Sequence, residues 1–544
     1  MRNVNFITTT IRVGAATCRL PYRTKINFIM TVLMAFIFVI GADAGGRRPP
    51  KGSVDGEYAP VTVSSGDRLE DLEGGEGAFG VAAHPSEMEF DTLDWKVPRG
   101  DQYRVELKSG PIAYVASDSS LPLVSIEAYI RRGSLADPVG KEGLGSLMSR
   151  LLRSGGTAHY PADTLDMLID LLAMSVSFSQ SETHVLFRAS FLSEYTDTAL
   201  HIIGQMLHRP AFEPRRLERE RSIMLEGINH RFVNPGPTLN AAYRKHSFAG
   251  QLPARLTTEK SLKAITRDDI IKLHKSALDS SVIIMSAAGK FDRDVMVGKL
   301  NALFPKPIVA VCPLQPEIAV APRTRALVVH KPLNQAYVRM GLPLFRRPHP
   351  DYYPVAVLNY ILGGSGFTSR LGARIRSDEG LTYSIHSRAE SNYAYPGTLH
   401  IDFFTGTAQY PKAVSIILEE LDKAVKDGVT ERELDNAVTS LIAELPSSFR
   451  SPEDVVSTYA WNEFFGRDAD HYEKYPEELR KLTLEDIGGA AKKYVDVNKM
   501  IFTIVGDTAA IREAGVAAGA DGFFVLDSLK SSQVVGSDSL VFLP

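Results

Sequence analysis

The sequence has very few cysteines and almost no net charge. Only Cys18 and Cys312 occur among 544 residues, so neither a disulfide framework nor a cysteine-based zinc site is available. A net charge of −3 gives no electrostatic reason to expect nucleic acid or an anionic membrane surface as a partner. The 44% hydrophobic and 23% charged residues are typical of a soluble globular protein, and the length predicts two to four domains.

Long hydrophobic runs are also lacking. The apolar run at 28–40 is shorter than the ~20 residues that a spanning helix needs. It follows a basic stretch without acidic residues and precedes Ala42-Asp43-Ala44, which fits a small-x-small cleavage site. We interpret 1–44 as a signal for export to a bacterial periplasm or cell envelope, with the mitochondrion as the alternative. Membrane contact is expected at most through this segment.

An internal repeat organises the remaining chain. The segment 263–279 aligns without gaps on 480–496, an offset of 217 positions. At the same offset, an apolar strand pattern that ends at Gly289 matches one that ends at Gly506. The other identities in register are Thr266 and Thr483, Asp269 and Asp486, Ile270 and Ile487, Lys275 and Lys492, and Asp279 and Asp496. A threonine followed by acids is also a helix N-cap signal.

The repeat predicts two homologous halves. Strand patterns at 125–133, 185–191, 336–342 and 399–403 alternate with long helical stripes, including 414–425 and 434–445. This pattern favours an α+β fold, in which each half is a mostly antiparallel sheet with helices packed on one face, and the two halves form a clam-like molecule. The predicted segments are a targeting segment (1–44), a Gly/Pro/acidic linker (45–95), a first half (96–305), a Pro-rich linker (306–325), a second half (326–525) and a C-terminal tail (526–544).

The stretch 363–383, GGSGFTSRLGARIRSDEGLTY, is the most distinctive part of the second half. Gly363, Gly364 and Gly366 follow an apolar helix pattern and predict a tight loop with close backbone approach. A dinucleotide-binding loop would follow a strand, and a phosphate-binding loop would carry a lysine, so nucleotide binding is disfavoured. Arg376 and Tyr383 come next, seven residues apart, as two hydrogen-bond donors.

The histidines do not suggest a metal site. No pair is spaced i,i+4 with a glutamate, and we interpret His201 as buried or capping. The scattered histidines are His159, His184, His201, His208, His230 and His386.

From about residue 95 to 514, the chain resembles the pitrilysin/insulinase-like zinc peptidases, whose motif is His-x-x-Glu-His. The resemblance rests on GSLADPVGKEGLG (133–145), ERERSIMLEGI (218–228) and LGGSGFTSRLGARIRSDEGLTYSI (362–385). The family also contains the subunits of the mitochondrial processing peptidase and the core subunits of a respiratory complex.

The metal positions depart from the family pattern. The resemblance implies histidines at 146 and 150, a glutamate at 149 and a third ligand at 227, but the chain has Ser146, Ser149, Arg150 and Gly227. Serine hydroxyls are poor zinc ligands, and Arg150 would place a permanent charge at the metal position. We therefore expect no metal or cofactor in this chain. Arg150 could instead form an ion pair with Glu220.

The opposite side of the family's active site is retained. The resemblance implies that Arg376 and Tyr383 contact substrate opposite the metal, where a guanidinium and a phenol can hold a carbonyl and stabilise an oxyanion. In some family members, one chain carries zinc and a metal-free partner supplies this pair. Without the resemblance, both residues would be interpreted as structural, with Arg376 paired to Asp378 or Glu379 and Tyr383 half-buried.

Two functions follow from these residues. The first is a non-zinc subunit of a heteromeric zinc endopeptidase, which binds peptides and completes the active site of a homologous zinc-bearing partner. The alternative is a catalytically inactive structural or assembly protein of the same fold. A zinc peptidase that is active alone is contradicted by residues 146, 149, 150 and 227. No nucleic-acid partner is expected.

Overall fold

The computed structural model describes residues 11–13, 16–18, 88, 95–308, 317–320, 326–517, 533–536 and 540. The chain divides into two units, Met1–Leu93 and Asp94–Pro544. In the first unit, strand Ile11–Val13 pairs antiparallel with Ala16–Cys18. The predicted targeting segment and the linker at 45–95 otherwise lie almost wholly outside the described residues, and the linker at 306–325 does so in large part.

The first half of the second unit contains a six-stranded sheet. In chain order its strands are β1 (Arg104–Glu106), β2 (Ile112–Ser117), β3 (Leu123–Ile130), β4 (Ser175–Gln180), β5 (Val185–Leu192) and β6 (Ile283–Gly289). They lie in the order β1-β2-β6-β3-β5-β4, and only the β2–β6 pair is parallel. The predicted strand at 125–133 ends three residues early, because Gly133 begins a 3-10 turn and packs against the backbone of Glu182.

Eight helices accompany this sheet in the described part of the first half. They are α1 (Leu144–Ser154), α2 (Ala162–Leu171), α3 (Thr196–His208), α4 (Pro214–Asn229), α5 (Pro235–Ser247), α6 (Glu259–Ala264), α7 (Arg267–Ser280) and α8 (Arg293–Leu303). Most pack on one face of the sheet, where alternate strand residues such as Val115, Ile126 and Phe187 meet Leu147 and Ile203 in one core.

The second half repeats this architecture. Its strands are β7 (Leu327–His330), β8 (Gln335–Pro343), β9 (Ile385–Glu390), β10 (Thr398–Gly406), β11 (Ile501–Gly506) and β12 (Gln533–Gly536), in the order β9-β10-β8-β11-β7-β12. Its α-helices are α9 (Tyr352–Asn359), α10 (Tyr410–Lys426), α11 (Glu431–Ala443), α12 (Pro452–Phe465), α13 (His471–Arg480), α14 (Leu484–Tyr494) and α15 (Thr508–Ala517). Within the segment predicted as a C-terminal tail, β12 pairs with β7 and Leu540 is buried.

The two halves share one strand order. The five strands β2, β6, β3, β5 and β4 correspond to β7, β11, β8, β10 and β9, and the β2–β6 and β7–β11 pairs are both parallel. The aligned threonines cap the N-termini of helices, as predicted. Thr266 and Thr483 each form a capping box with the aspartate three residues later, at the starts of α7 and α14. The predicted fold class, two homologous α+β halves with mostly antiparallel sheets, is confirmed.

A helix from each half packs on the sheet of the other half. Helix α12 covers the second face of the first sheet, where Val456 and Tyr459 pack with Tyr114 and Ile284. Helix α5 covers the second sheet, where Leu239 packs with residues of β7 and β11. The two helices begin at Pro235 and Pro452, which are separated by the same 217 positions as the repeat.

This exchange explains why β6 and β11 are apolar on both faces: all residues of β11 and nearly all of β6 are buried. In the described part of the chain, no helix combines the length and the hydropathy that crossing a membrane requires.

Candidate functional site

Helix α1 presents the positions at which the family pattern expects its metal motif. Its apolar stripe, which includes Leu147, Met148 and Leu151, is fully buried. The carboxylate of Asp137 accepts the backbone N–H groups of Gly143 (3.0 Å) and Gly145 (3.2 Å) and so caps the start of the helix. Burial raises the pKa of this carboxyl, although these hydrogen bonds oppose the shift. The helix is therefore firmly placed.

The side chains at these positions do not fit zinc. Ser146 donates its hydroxyl to Gln180 Oε1 at 2.9 Å, and Ser149 is 1% exposed, with a buried hydroxyl that lacks a hydrogen-bond partner among the described residues. Gly227 on α4 is exposed and has no atom within 4 Å of the place where a Cβ would stand. Two hydroxyls and a glycine cannot supply the nitrogen, sulfur or carboxylate donors that zinc prefers.

An ion pair bridges α1 and α4 at this place. Arg150 Nη1 lies 3.4 Å from Glu220 Oε2, and Ser154 donates its hydroxyl to the other carboxylate oxygen at 3.0 Å. Glu220 is largely buried, whereas Arg150 is half-exposed. The predicted Arg150–Glu220 contact is thus confirmed, and it places a cation where the family pattern would place a metal ligand.

Two π-helical segments shape the glycine-rich stretch of the second half. Helix α9 continues into a π-helical turn at Tyr360–Gly364, and a second π-helical segment spans Gly372–Asp378. A Cβ on Gly363 would stand 2.7 Å from the backbone nitrogen of Ser387 on β9. A Cβ on Gly372 would stand 2.0 Å from the carbonyl oxygen of Gly366, which itself has a φ of +64°. Of the glycines predicted to form a tight loop, Gly363 and Gly364 have close backbone neighbours but lie in the π-helical turn, whereas Gly366 has open space around its Cβ position.

Arg376 lies against two exposed aromatic rings. Its guanidinium carbon is 3.9 Å from the ring centroid of Phe367 and 4.5 Å from that of Tyr383. Phe367 is 64% exposed and Tyr383 is 75% exposed. Cation–π attraction to both rings holds the guanidinium in place without occupying its N–H donors.

The neighbouring arginines bind carboxylates, which distinguishes them from Arg376. Arg370 forms two hydrogen bonds to Glu433, at 2.6 and 2.8 Å, and Arg374 binds Glu379 at 2.7 Å. Among the described residues, no carboxylate lies within ion-pair distance of Arg376. The structural alternative considered for Arg376 and Tyr383 is therefore wrong in both parts, because Glu379 is taken by Arg374 and Tyr383 is exposed rather than half-buried.

The histidines do not form a metal site in the described part of the chain. No group of three or more histidine, cysteine, aspartate or glutamate side chains is arranged to hold a metal ion there. His208 bonds to the carbonyl oxygen of Leu303 at 2.6 Å, and burial lowers its pKa. The expectation that His201 is buried or capping is wrong: the residue is exposed on α3 and caps no helix.

Phe367 was missed by sequence reasoning. The signal was available, because a large aromatic residue in the middle of a glycine-rich loop has few ways to be buried. Its contact with Arg376 could not be predicted, because it depends on how the loop packs beside the second π-helical segment.

Comparison with known proteins agrees with this geometry. Residues 114–253 match the family model described as "Insulinase (Peptidase family M16)", and residues 264–441 match the model described as "Peptidase M16 inactive domain". Together the two matches span more than half of the chain, and the chain belongs to the insulinase (M16) family.

Some relatives are named as zinc proteases and another as a non-peptidase homologue. The chain is 24% identical over 400 residues to "Non-peptidase homolog YmxG" of Helicobacter pylori, covering 73% of this chain and 91% of that protein. It is 24% identical over 397 residues to "Uncharacterized zinc protease YmxG" of Bacillus subtilis, covering 72% and 95%. A solved structure described as a peptidase M16 inactive domain, from Pseudomonas fluorescens, shares the fold with a TM-score of 0.67 at 20% identity, covering 74% of this chain and 97% of that one.

Proposed function

We propose that this chain is a metal-free subunit with no peptidase activity of its own, which binds peptides and completes the active site of a zinc-bearing homologous partner. The observation that carries the proposal is the Arg376 stack. A guanidinium held by contacts to two exposed rings, with no carboxylate partner among the described residues, is a hydrogen-bond donor available to a ligand.

The chemistry of the stack suits a peptide undergoing hydrolysis. The in-plane N–H groups of Arg376 can bind a peptide carbonyl oxygen, and the exposed phenol of Tyr383 is a second donor beside them. Such donors stabilise the negative charge that develops on the carbonyl oxygen during attack. Phe367 adds an apolar surface for a substrate side chain. In this proposal, the zinc and the water that it activates belong to the partner.

The first half supports the absence of activity in the chain alone. At the position of the metal motif, the Arg150–Glu220 pair and two serine hydroxyls replace the ligands and the water-activating carboxylate. The name of the H. pylori relative, a non-peptidase homologue, is in keeping with this part of the proposal.

The proposal is tested by peptide hydrolysis and zinc content of the full chain, alone and mixed with a homologue that retains His-x-x-Glu-His. We expect no zinc and no cleavage by the chain alone, and cleavage by the mixture above that of the homologue. Arg376→Ala and Tyr383→Phe should each lower the activity of the mixture at least about tenfold, as loss of an oxyanion donor does.

Matched controls separate the site from general damage. Arg432→Ala removes an exposed arginine from α11, and Tyr337→Phe removes a tyrosine hydroxyl from β8, outside the stack. Both variants should retain the activity of the mixture. Zinc and cleavage in the chain alone would overturn the proposal.

The alternative function is a structural or assembly protein of the same fold. The reciprocal packing of α5 and α12 favours it, because a helix from each half packs on the sheet of the other and joins the halves, as a scaffold requires. A homologue that is fully active without this chain, and unaffected by Arg376→Ala, would establish the alternative.

We further propose that the chain is exported, on the basis of the basic and apolar segment at 1–44. Fractionation of cells that express the full chain tests this, with recovery in the cytosolic fraction as the contrary result.

A further inference from the structure

A cavity of about 300 Å³ lies between the two halves, and four arginines line it. Arg131 and Arg132 come from the first half, and Arg346 and Arg347 come from the second. The first pair directly follows the last residue of β3, and two residues separate the second pair from the last residue of β8. Because β3 and β8 are equivalent strands of the two halves, both pairs lie just beyond the same end of their strand. The pseudo-symmetry of the repeat therefore brings two arginine pairs to one place.

None of these four guanidinium groups has a carboxylate within ion-pair distance in the described part of the chain. Arg131 lies over the ring of Phe464, with its guanidinium carbon 4.6 Å from the centroid, and donates to the carbonyl oxygen of that residue. Arg347 donates Nε to Ser391 and lies 4.4 Å from the ring centroid of Tyr352. Aromatic rings and neutral oxygens hold these side chains, and neither neutralises their charge.

The other two arginines have even fewer contacts. Arg346 is exposed, and Arg132 has a buried Nε without an acceptor among the described residues. The Nε of Arg131 is likewise buried without an acceptor. A buried N–H group without a partner is costly, and an acceptor bound in the cavity would remove that cost.

Among the described residues that line the cavity, the one carboxylate already has partners. Glu182 forms an ion pair with Arg244 of α5 and accepts a hydrogen bond from the phenol of Tyr395. It therefore offers little compensation to the four arginines, and the cavity carries an excess of positive charge.

The charge of these arginines also affects two histidines near the cavity, the buried His184 and the half-buried His471. Burial, reinforced by the charge of Arg131, lowers the pKa of His184 to about 4. Burial, reinforced by the charges of Arg467 and Arg347, lowers the pKa of His471 to about 4. Both imidazoles are thus neutral at physiological pH and add no further positive charge.

We propose that this cavity is a binding site for a small oxyanion, a phosphate or a carboxylate group on a small molecule. Guanidinium forks match the geometry of both groups and form short, charge-assisted hydrogen bonds to them. The volume is at the lower end of the range for small-molecule sites and suits a small ligand. Because both halves contribute arginines, a bound anion would also stabilise the contact between the halves. The site is independent of the Arg376 stack.

Thermal unfolding of the full chain tests the proposal, with sodium phosphate and sodium citrate titrated separately against sodium chloride at matched ionic strength. We expect the Tm to rise saturably with at least one of the two anions beyond the effect of chloride. The anion with the lower half-saturating concentration identifies the ligand class, phosphate or carboxylate. Arg346→Gln and Arg132→Gln should each raise that concentration about tenfold, the effect of one lost charge-assisted hydrogen bond.

Arg432→Gln, on the exposed face of α11 and outside the cavity, is the matched control and should leave the titration unchanged. In chloride alone, Arg346→Gln should not lower the Tm, because this exposed side chain has no ion pair to lose. A Tm that responds equally to chloride and to both anions overturns the proposal. So does an undiminished anion effect in the Arg132→Gln/Arg346→Gln double variant.

Discussion

Arg150 Nη1 lies 3.4 Å from Glu220 Oε2, and this contact joins α1 to α4 at the place where the family pattern expects a metal. The arginine side chain is 47% exposed and the glutamate 11% exposed. A half-exposed pair at this distance contributes modestly to stability, but it compensates a carboxylate that would otherwise be largely buried without a counter-charge.

A double-mutant cycle on Arg150→Ala and Glu220→Ala should give a coupling energy of about 0.5 kcal/mol in urea unfolding. The exposed pair Glu259–Lys263 on α6 is the matched control and should couple by no more than about 0.3 kcal/mol. Additive effects of the two substitutions at 150 and 220 would mean that the pair is not a stabilising contact.

Restoring the family's residues should restore metal binding. Because α1 and α4 keep their packing, the combined variant Ser146→His/Ser149→Glu/Arg150→His/Gly227→Glu should bind about one zinc per chain, measured by metal analysis after dialysis. Arg150→His alone should bind none, because one imidazole is not a zinc site. A metal-free combined variant that remains folded by circular dichroism would show that the backbone of the site has also diverged.

Phe367→Ala should weaken peptide binding several-fold while leaving stability within about 0.5 kcal/mol of the original chain. The ring is 64% exposed, so its loss removes little buried area, but it removes one of the two ring contacts that hold the Arg376 guanidinium. Fluorescence titration with a labelled peptide measures the first effect and urea unfolding the second. Unchanged affinity would show that the ring does not orient the arginine.

Gly341→Ala should destabilise the contact between α5 and the second sheet by about 1–3 kcal/mol. A Cβ on Gly341 of β8 would stand 1.7 Å from the phenol oxygen of Tyr243 on α5. Gly488→Ala on α14 is the control, because its Cβ would meet no atom within 4 Å and alanine is a better helix former. Adding Tyr243→Phe to Gly341→Ala should recover part of the loss; no recovery would point to a different cause.

The Arg370–Glu433 pair should produce an acid-dependent loss of stability. The hydrogen bonds of Arg370 lower the pKa of Glu433 to about 2, against an ordinary value of 4.5. Because the folded pKa is depressed, the stabilisation is present above about pH 4.5 and is lost as the pH falls towards 2. In urea unfolding, the free energy of unfolding of the original chain should exceed that of Glu433→Gln by about 1.5 kcal/mol at pH 6, and the two values should converge as the pH falls from about 4.5 to 2.

Glu431→Gln, an exposed substitution on the same helix, controls for the change in net charge and should show no such convergence. A difference between Glu433→Gln and the original chain that does not depend on pH would exclude the ionised carboxylate as its source.

Features that depend on short stretches of chain were predictable. The caps formed by Thr266 and Thr483 follow from a threonine and an aspartate three residues apart, and the 217-residue repeat follows from alignment alone. The helical stripe of α1 is preserved although its polar residues have changed, so both the helix and its unsuitability for zinc could be predicted. The end of β3 was less predictable, because Gly133 stops the strand through a contact with distant Glu182.

The sequence by itself therefore determined the two α+β halves, the α1 helix with its altered metal positions, and the presence of Arg376 and Tyr383. Only the tertiary structure decided that α5 and α12 each pack on the sheet of the other half, that Phe367 contacts Arg376 beside Tyr383, and that four arginines meet in one cavity. The physical reason is the range of the interactions. Caps and amphipathic stripes depend on residues within a few positions of each other, whereas these three features join residues that only packing of the whole chain brings together.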